Sequence, residues 1–318
     1  MVKLSRIATL AAVLISTSAA AQEFPTKPVT VIVATAPGSS MSNLARVVGD
    51  QLEKRWKQPV IIDNRAGGAG LIAAEYVSRA APDGHTLVFA SDAFTTFHIF
   101  TKGVTFDPQK DLAPVALISW SPYAMLTNAK VPAKTIESFI VYAKANPGKL
   151  NFGTIGRNPQ LLAILRFNQL HGLKMEAVNY PATAQAVPAL ITDDIQLFLS
   201  GFATAGPHIK SGAMVPLAAM SDERIKEMPD VPTLKERGID LTEGYWFGYM
   251  APPATPKAIT ERISAAVQAA LKTPEVADYY SKVGFTVLTG PPAHMAKTIA
   301  EDMRVRTAVA KAAGIEPE

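Results

Sequence analysis

Past residue 22 the chain alternates short β-branched, apolar runs with longer stretches whose apolar positions recur every three to four residues. Residues 29–34 read as a buried strand, 43–55 as a helix, 60–62 as a second strand, 71–80 as a second helix and 86–90 as a third strand. Strands separated by helices of this length predict βαβ crossovers and a parallel sheet. Pro37-Gly38, Gly67-Gly68, Pro82-Asp83-Gly84 and Pro147-Gly148 punctuate the joints. A second α/β unit follows, with strands over 150–154, 177–180, 195–199 and 215–219 and helices over 161–170, 184–192 and 203–211. Beyond a loop at 229–232 come an apolar run at 245–251, a long helix over 256–271 and a helical tail over 292–313. These last helices have no strands of their own to cover, so they are expected to pack back on the first unit. Two α/β lobes joined by two crossings predict a hinge with a ligand cleft between the lobes. The expected limits are 22–125 and 247–318 for the first lobe and 126–246 for the second.

The beginning of the chain reads differently. Lys3 and Arg6 precede an apolar run over 7–15 that ends in small residues, with Ala19 and Ala21 in the A-x-A positions before Gln22. This pattern predicts a secretory signal peptide over 1–21, too short to span a bilayer, and an exported, periplasmic protein. The formal net charge is only +4, and no basic tract carries interleaved aromatics, so nucleic acid is not an expected partner. The chain has no cysteine, which excludes disulfides, thiolate metal sites and cysteine nucleophiles.

Catalytic signatures are scarce in the sequence. The five histidines (His85, His98, His171, His208, His294) are scattered, with no metal-ligand spacing. No G-x-S-x-G elbow, S-x-x-K or Walker pattern occurs. One motif remains: Gly68-Ala69-Gly70-Leu71-Ile72-Ala73 matches G-x-G-x-x-A between a strand and a helix, and so offers a nicotinamide-dependent oxidoreductase as the alternative class. The same turn has another reading. It pairs with the first loop, Gly38-Ser39-Ser40-Met41-Ser42, because both lie between a strand's end and a helix's start. Small residues let backbone approach a ligand, and the free N–H groups of a helix's first turn favour an anion. Two such loops at neighbouring strand ends would share one carboxylate. Ser42 is equally readable as an N-cap.

Several stretches then resemble one family. Residues 24–33 (Phe-Pro-Thr-Lys-Pro-Val-Thr-Val-Ile-Val), Pro37-Gly38, Leu44-Ala45-Arg46, Gln58-Pro59-Val60, Asn64-Arg65, residues 80–84, residues 142–151, Pro207-His208-Ile209-Lys210, residues 229–233 and Trp246-Phe247-Gly248 occur in the order seen in Bug-type solute-binding proteins. These are the extracytoplasmic receptors of tripartite tricarboxylate transporters. The resemblance implies a two-lobed type II periplasmic-binding fold, no enzymatic activity, no cofactor or metal, a monomer, and delivery of a small organic carboxylate to integral-membrane permease subunits. It maps ligand contacts onto the two loops above, onto Ser91 and Asp92 after the third strand, and onto Thr154, Arg157, Asn158, Tyr180, Thr183, Ser200, Phe202 and Thr204 in the second lobe. Where the family carries glycines followed by threonine and aspartate, this chain has Gly38-Ser39-Ser40-Met41-Ser42, which makes an amino-acid ligand less attractive. Arg157 either pairs with a second carboxylate or is a solvated rim residue. Met41, Phe94, Phe202 and Trp246 suggest an apolar wall, and hence a dicarboxylate, aliphatic or aromatic such as terephthalate.

Overall fold

The computed structural model describes residues 24–318, and the expected signal segment over 1–21 lies outside the described residues. The chain begins its fold with β1 (Val29–Val33), whose Val29, Val31 and Val33 enter one core while Ile32 enters another. That alternation is what a strand covered on both faces requires. α1 (Ser40–Trp56) buries Leu44, Ala45, Val48 and Leu52 in the first core. β2 (Val60–Asn64) pairs parallel with β1. α2 (Leu71–Ser78) buries Ala73, Ala74 and Val77 in the opposite core. β3 (Thr86–Ser91) pairs parallel with β1 on its other side. A 3-10 turn and the short α3 (Phe97–Phe100) follow, and then β4 (Ala113–Pro122).

One residue later the chain enters the second lobe with β5 (Ala124–Asn128), α4 (Ile136–Ala145), β6 (Asn151–Ile155), α5 (Pro159–His171), β7 (Glu176–Tyr180), α6 (Thr183–Thr192), β8 (Phe198–Ser200), α7 (Phe202–Lys210) and β9 (Met214–Ala219). It returns in β10 (Gly244–Ala251), which is followed by α8 (Lys257–Leu271), α9 (Pro274–Lys282), β11 (Thr286–Val287) and α10 (Pro292–Ala312). The first lobe is a six-stranded sheet in the order β11-β4-β10-β3-β1-β2. As expected of the closing helices, α8 and α10 pack on this sheet, at β4.

The two-lobed α/β architecture agrees with the sequence reading, but the strand pairing corrects one part of it. Between the named strands, parallel pairing joins β3-β1-β2 and β6-β7; β10 runs antiparallel to both β3 and β4, and β5 antiparallel to both β8 and β9. The reason is the pair of crossings. β4 leaves the first sheet and β10 re-enters beside it in the opposite sense. β4, β5 and β11 have no counterpart in the strands read from sequence, and α3, α4 and α9 none among the helices. β4 is buried along nearly its whole length and therefore shows no alternation.

The crossings are stitched together. Tyr123 donates its N–H to the Glu243 carbonyl at 3.1 Å, and Met220 donates to the Tyr123 carbonyl at 2.8 Å. The Tyr123 and Tyr245 rings lie 5.5 Å apart. The two crossings are thus hydrogen-bonded to each other where the sequence reading expects the hinge.

Candidate functional site

The carboxyl ends of β1, β2 and β3 lie side by side, with Val33 in register with both Asn64 and Phe89. In open α/β sheets that edge is where ligands bind. Three loops emerge there: residues 34–39, 65–70 and 91–96.

The first loop ends in a cap. Ser39 is extended (φ −64°, ψ 158°) and its hydroxyl accepts the Ser42 N–H at 3.2 Å, so Ser39 and not Ser42 is the N-cap of α1. The helix therefore starts three residues earlier than the sequence pattern suggested. The Ser42 hydroxyl is buried and donates to Asn64 Oδ1 at 3.3 Å, while Asn64 Nδ2 donates to the Thr35 carbonyl at 2.9 Å. Asn64 thus fastens the first loop to the end of β2. Asn43 donates its N–H to the Ser39 carbonyl. The N–H groups of Ser40 and Met41 have no protein acceptor among the described residues. Gly38 stands open to solvent at φ +78°.

The second loop is a run of left-handed backbone: Gly67 at φ +134°, Gly68 at +55°, Ala69 at +53° and Gly70 at +104°. It is closed by Gly70 N–H to the Gly67 carbonyl at 2.9 Å and by Leu71 N–H to the Gly68 carbonyl. The N–H groups of Gly67, Gly68 and Ala69 have no protein acceptor among the described residues. Gly70 has to be glycine, since a methyl group there would sit 2.8 Å from the Phe94 ring and 3.2 Å from Ala34 Cβ. The close approach ties all three loops together, Ala34 from the first, Gly70 from the second and Phe94 from the third. In the G-x-G-x-x-A match, Ala73 packs in the core under α2.

In the third loop Ser91 is extended and half-buried, at the mouth of the crevice. Asp92 is turned away from it. Its carboxylate is buried 3.3 Å from Arg306 Nη2. Arg306 reaches in from α10, donates to the Asp92 carbonyl at 2.8 Å and Thr95 Oγ1 at 2.6 Å, and lies 3.4 Å from Asp302. The Trp246 indole N–H donates to Asp302 at 2.8 Å. Burial pushes the Asp92 carboxyl up to about 7; Arg306 pulls against that shift, and Asp302 and Glu243 add to it. Glu243, paired with Arg166 at 3.2 Å, is likewise raised by burial.

The second lobe offers a matching edge. Ile155 and Tyr180 are in register at the ends of β6 and β7, and a bridge between Phe152 and Leu197 brings β8, with Ser200, alongside. Thr154 is buried and donates to the Gly156 carbonyl at 3.0 Å, and Asn158 caps α5 by accepting the Leu161 N–H at 3.2 Å. Arg157 stacks 5.5 Å from the Phe100 ring centre, donates to the Glu316 carbonyl and ion-pairs with Glu318. Its contact with Phe100, at the end of the helix that follows the third loop, places the second-lobe loops at the same seam. Tyr180, Thr183, Ser200 and Thr204 keep hydroxyls with no hydrogen bond among the described residues. Phe202 is half-buried against α7 and its core.

The apolar wall expected from sequence is largely elsewhere. Met41, Phe94 and Trp246 lie in the cores of the first lobe. Sequence reasoning missed Arg306, Asn64 as a loop staple, and Tyr245, whose hydroxyl presses on Gly201. Asn64 had a signal in the Asn64-Arg65 pair; Arg306 sits in an evenly polar helix and had none.

Residues 44–315 match the family described as the tripartite tricarboxylate transporter family receptor. A UPF0065 protein of Bordetella bronchiseptica is 32% identical over 286 residues, which cover 88% of this chain and 85% of that protein. A solved R. palustris protein with adipate superposes with a TM-score of 0.78 at 27% identity, covering 93% of this chain and 100% of that one. MatC from Rhodopseudomonas palustris with bound malate gives 0.74 at 29%, covering 90% and 100%.

Proposed function

Because the chain belongs to the tripartite tricarboxylate transporter receptor family, we propose that it captures a short dicarboxylate between its lobes and hands it, in the periplasm, to an integral-membrane permease. The observation that carries this reading is the cluster of bare amides at two adjoining strand ends, Ser40 and Met41 on one side and Gly67 to Ala69 on the other. Backbone donors of this kind complement a carboxylate and leave a cation unsatisfied. The acid of the third loop does not oppose an anion, because Asp92 is buried against Arg306.

The far carboxylate falls to the second lobe. Arg157 is engaged by the segment ending at Glu318, so the distal contacts are assigned to Tyr180, Thr183, Ser200 and Thr204. With Met41, Phe94 and Trp246 withdrawn into cores, a flexible aliphatic diacid suits the cleft better than terephthalate. The related proteins solved with adipate and malate support that order. The protein acts as a monomer and by binding alone. Its lobes, 24–122 with 244–318 and 124–243, close about the Tyr123–Glu243 crossings.

A thermal-shift series with malate, adipate, terephthalate and NAD(H) tests the reading. Ligand at ~100 times its dissociation constant adds about 2.7 kcal/mol to stability. Adipate or malate should raise the melting temperature and NAD(H) should not. A shift with NAD(H) and none with any carboxylate would favour the oxidoreductase alternative.

A further inference from the structure

Arg306 lies far along the chain from every loop of the crevice, on α10, and is 4% exposed. A buried guanidinium with three acidic neighbours (Asp92, Asp302 and Glu243) is costly to desolvate and is weak evidence for stability as such. Its contacts show a more specific use. Two of its donors fix backbone and side chain of the third loop, at the Asp92 carbonyl and Thr95 Oγ1. Thr95 Oγ1 in turn donates to the same Asp92 carbonyl at 2.7 Å, closing a small ring of hydrogen bonds around the turn. That turn carries Phe94, and Phe94 is the surface on which Gly70 rests beside Ala34. Any slackening of the turn therefore reaches both amide-bearing loops through a contact that has no spare room.

We propose that Arg306 is a positioning residue for the carboxylate crevice, holding the Asp92–Thr96 turn so that Phe94 fixes the aim of the 67–70 and 34–41 amides. It touches no ligand. The assignment rests on the reading of those amides as the carboxylate site. Loss of aim at one hydrogen-bonded oxygen should weaken binding about tenfold, the scale of a single hydrogen bond. The loss should be the same for a monocarboxylate and a dicarboxylate, because the near carboxylate is common to both.

The test is calorimetric titration of adipate and of hexanoate into the full chain and into three variants. Arg306→Lys keeps the charge, but its ammonium ends one bond short of the Nη1 that makes both the Asp92 carbonyl and the Thr95 contacts. Thr95→Val removes one acceptor with little change of shape. Ile299→Val loosens the same helix in the same core without touching the clamp. We expect both clamp variants, folded at the assay temperature by circular dichroism, to lose affinity about tenfold for both acids, with Ile299→Val binding like the parent. Clamp variants that bind like the parent would overturn the assignment. So would an equal loss in Ile299→Val, which would show general loosening. A parent protein that binds neither acid would instead overturn the carboxylate reading itself, and the assignment with it.

Discussion

Replacing Gly70 by alanine should do disproportionate harm, and the size of the effect follows from its surroundings. At φ +104° a β-carbon costs about 1–2 kcal/mol of backbone strain. The new methyl would also lie 2.8 Å from the Phe94 ring and 3.2 Å from Ala34 Cβ, well inside contact distance. Forcing extra volume into packed surroundings costs a further ~1–3 kcal/mol. The sum, about 2–5 kcal/mol, corresponds to a melting temperature lower by roughly 3–8 °C in a protein of this size. Gly38 is the internal control. It too is left-handed, at φ +78°, but nothing lies within 4 Å of where its Cβ would be, so Gly38→Ala should cost only the backbone share, about 1–2 kcal/mol. Urea unfolding followed by tryptophan fluorescence measures both. Gly70→Ala should also weaken carboxylate binding, since the displaced loop carries the Gly67 to Ala69 amides. If the two variants were equally mild, the three loops would not be packed as described.

Asp92 holds its proton up to about pH 7 in the folded chain against 3.8 for an ordinary aspartate, so between those values the native state binds the extra proton and stability falls as pH rises. Asp92→Asn should remove that part of the decline in urea midpoints; Glu243, raised by burial and coupled to Asp92, loses a negative neighbour and should flatten the slope slightly further, while Asp83 and Asp107, lowered by their partners against the opposing effect of burial, contribute equally to parent and variant, and an unchanged slope would contradict the buried pair. Arg157→Ala, which removes a largely exposed link to Glu318, should cost under about 1 kcal/mol and leave the adipate-to-hexanoate affinity ratio unchanged in titration; a selective loss of adipate would return Arg157 to the ligand. Ser39→Ala removes the N-cap of α1 and should lower stability by about 1 kcal/mol in chemical unfolding, whereas the same loss from Ser42→Ala alone would restore Ser42 as the cap.

The first three strands and the helices between them were legible because each keeps a clean period, β-branched for β1 and β3 and three-to-four for α1. β4 was not, because Pro114, Ser119, Ser121 and Pro122 break up its apolar run, nor was β5, whose Ala-Met-Leu-Thr-Asn holds a single β-branched residue and fits a helix as well. The antiparallel return of β10 is set by where the crossings lie in space, which no local pattern encodes. Among site residues, the two glycine-bearing loops were readable from small residues placed between strand and helix. The fate of Asp92 was not, since its partner Arg306 is separated from it by most of the chain. Met41 and Phe94 looked like wall residues because an apolar side chain beside a loop fits a core equally well, and here the core takes both. Ser42 was read as the cap because it directly precedes the three-to-four period; the extended backbone puts the cap at Ser39, three residues earlier.

The central claim is that backbone amides of two neighbouring loops receive one carboxylate. A crystal structure of the protein grown with adipate measures it directly. We expect one carboxylate of adipate to lie about 2.7–3.2 Å from N–H groups of both loops, Ser40 or Met41 in the first and Gly67, Gly68 or Ala69 in the second. Adipate bound elsewhere, or in the cleft with those amides facing solvent, would contradict the claim.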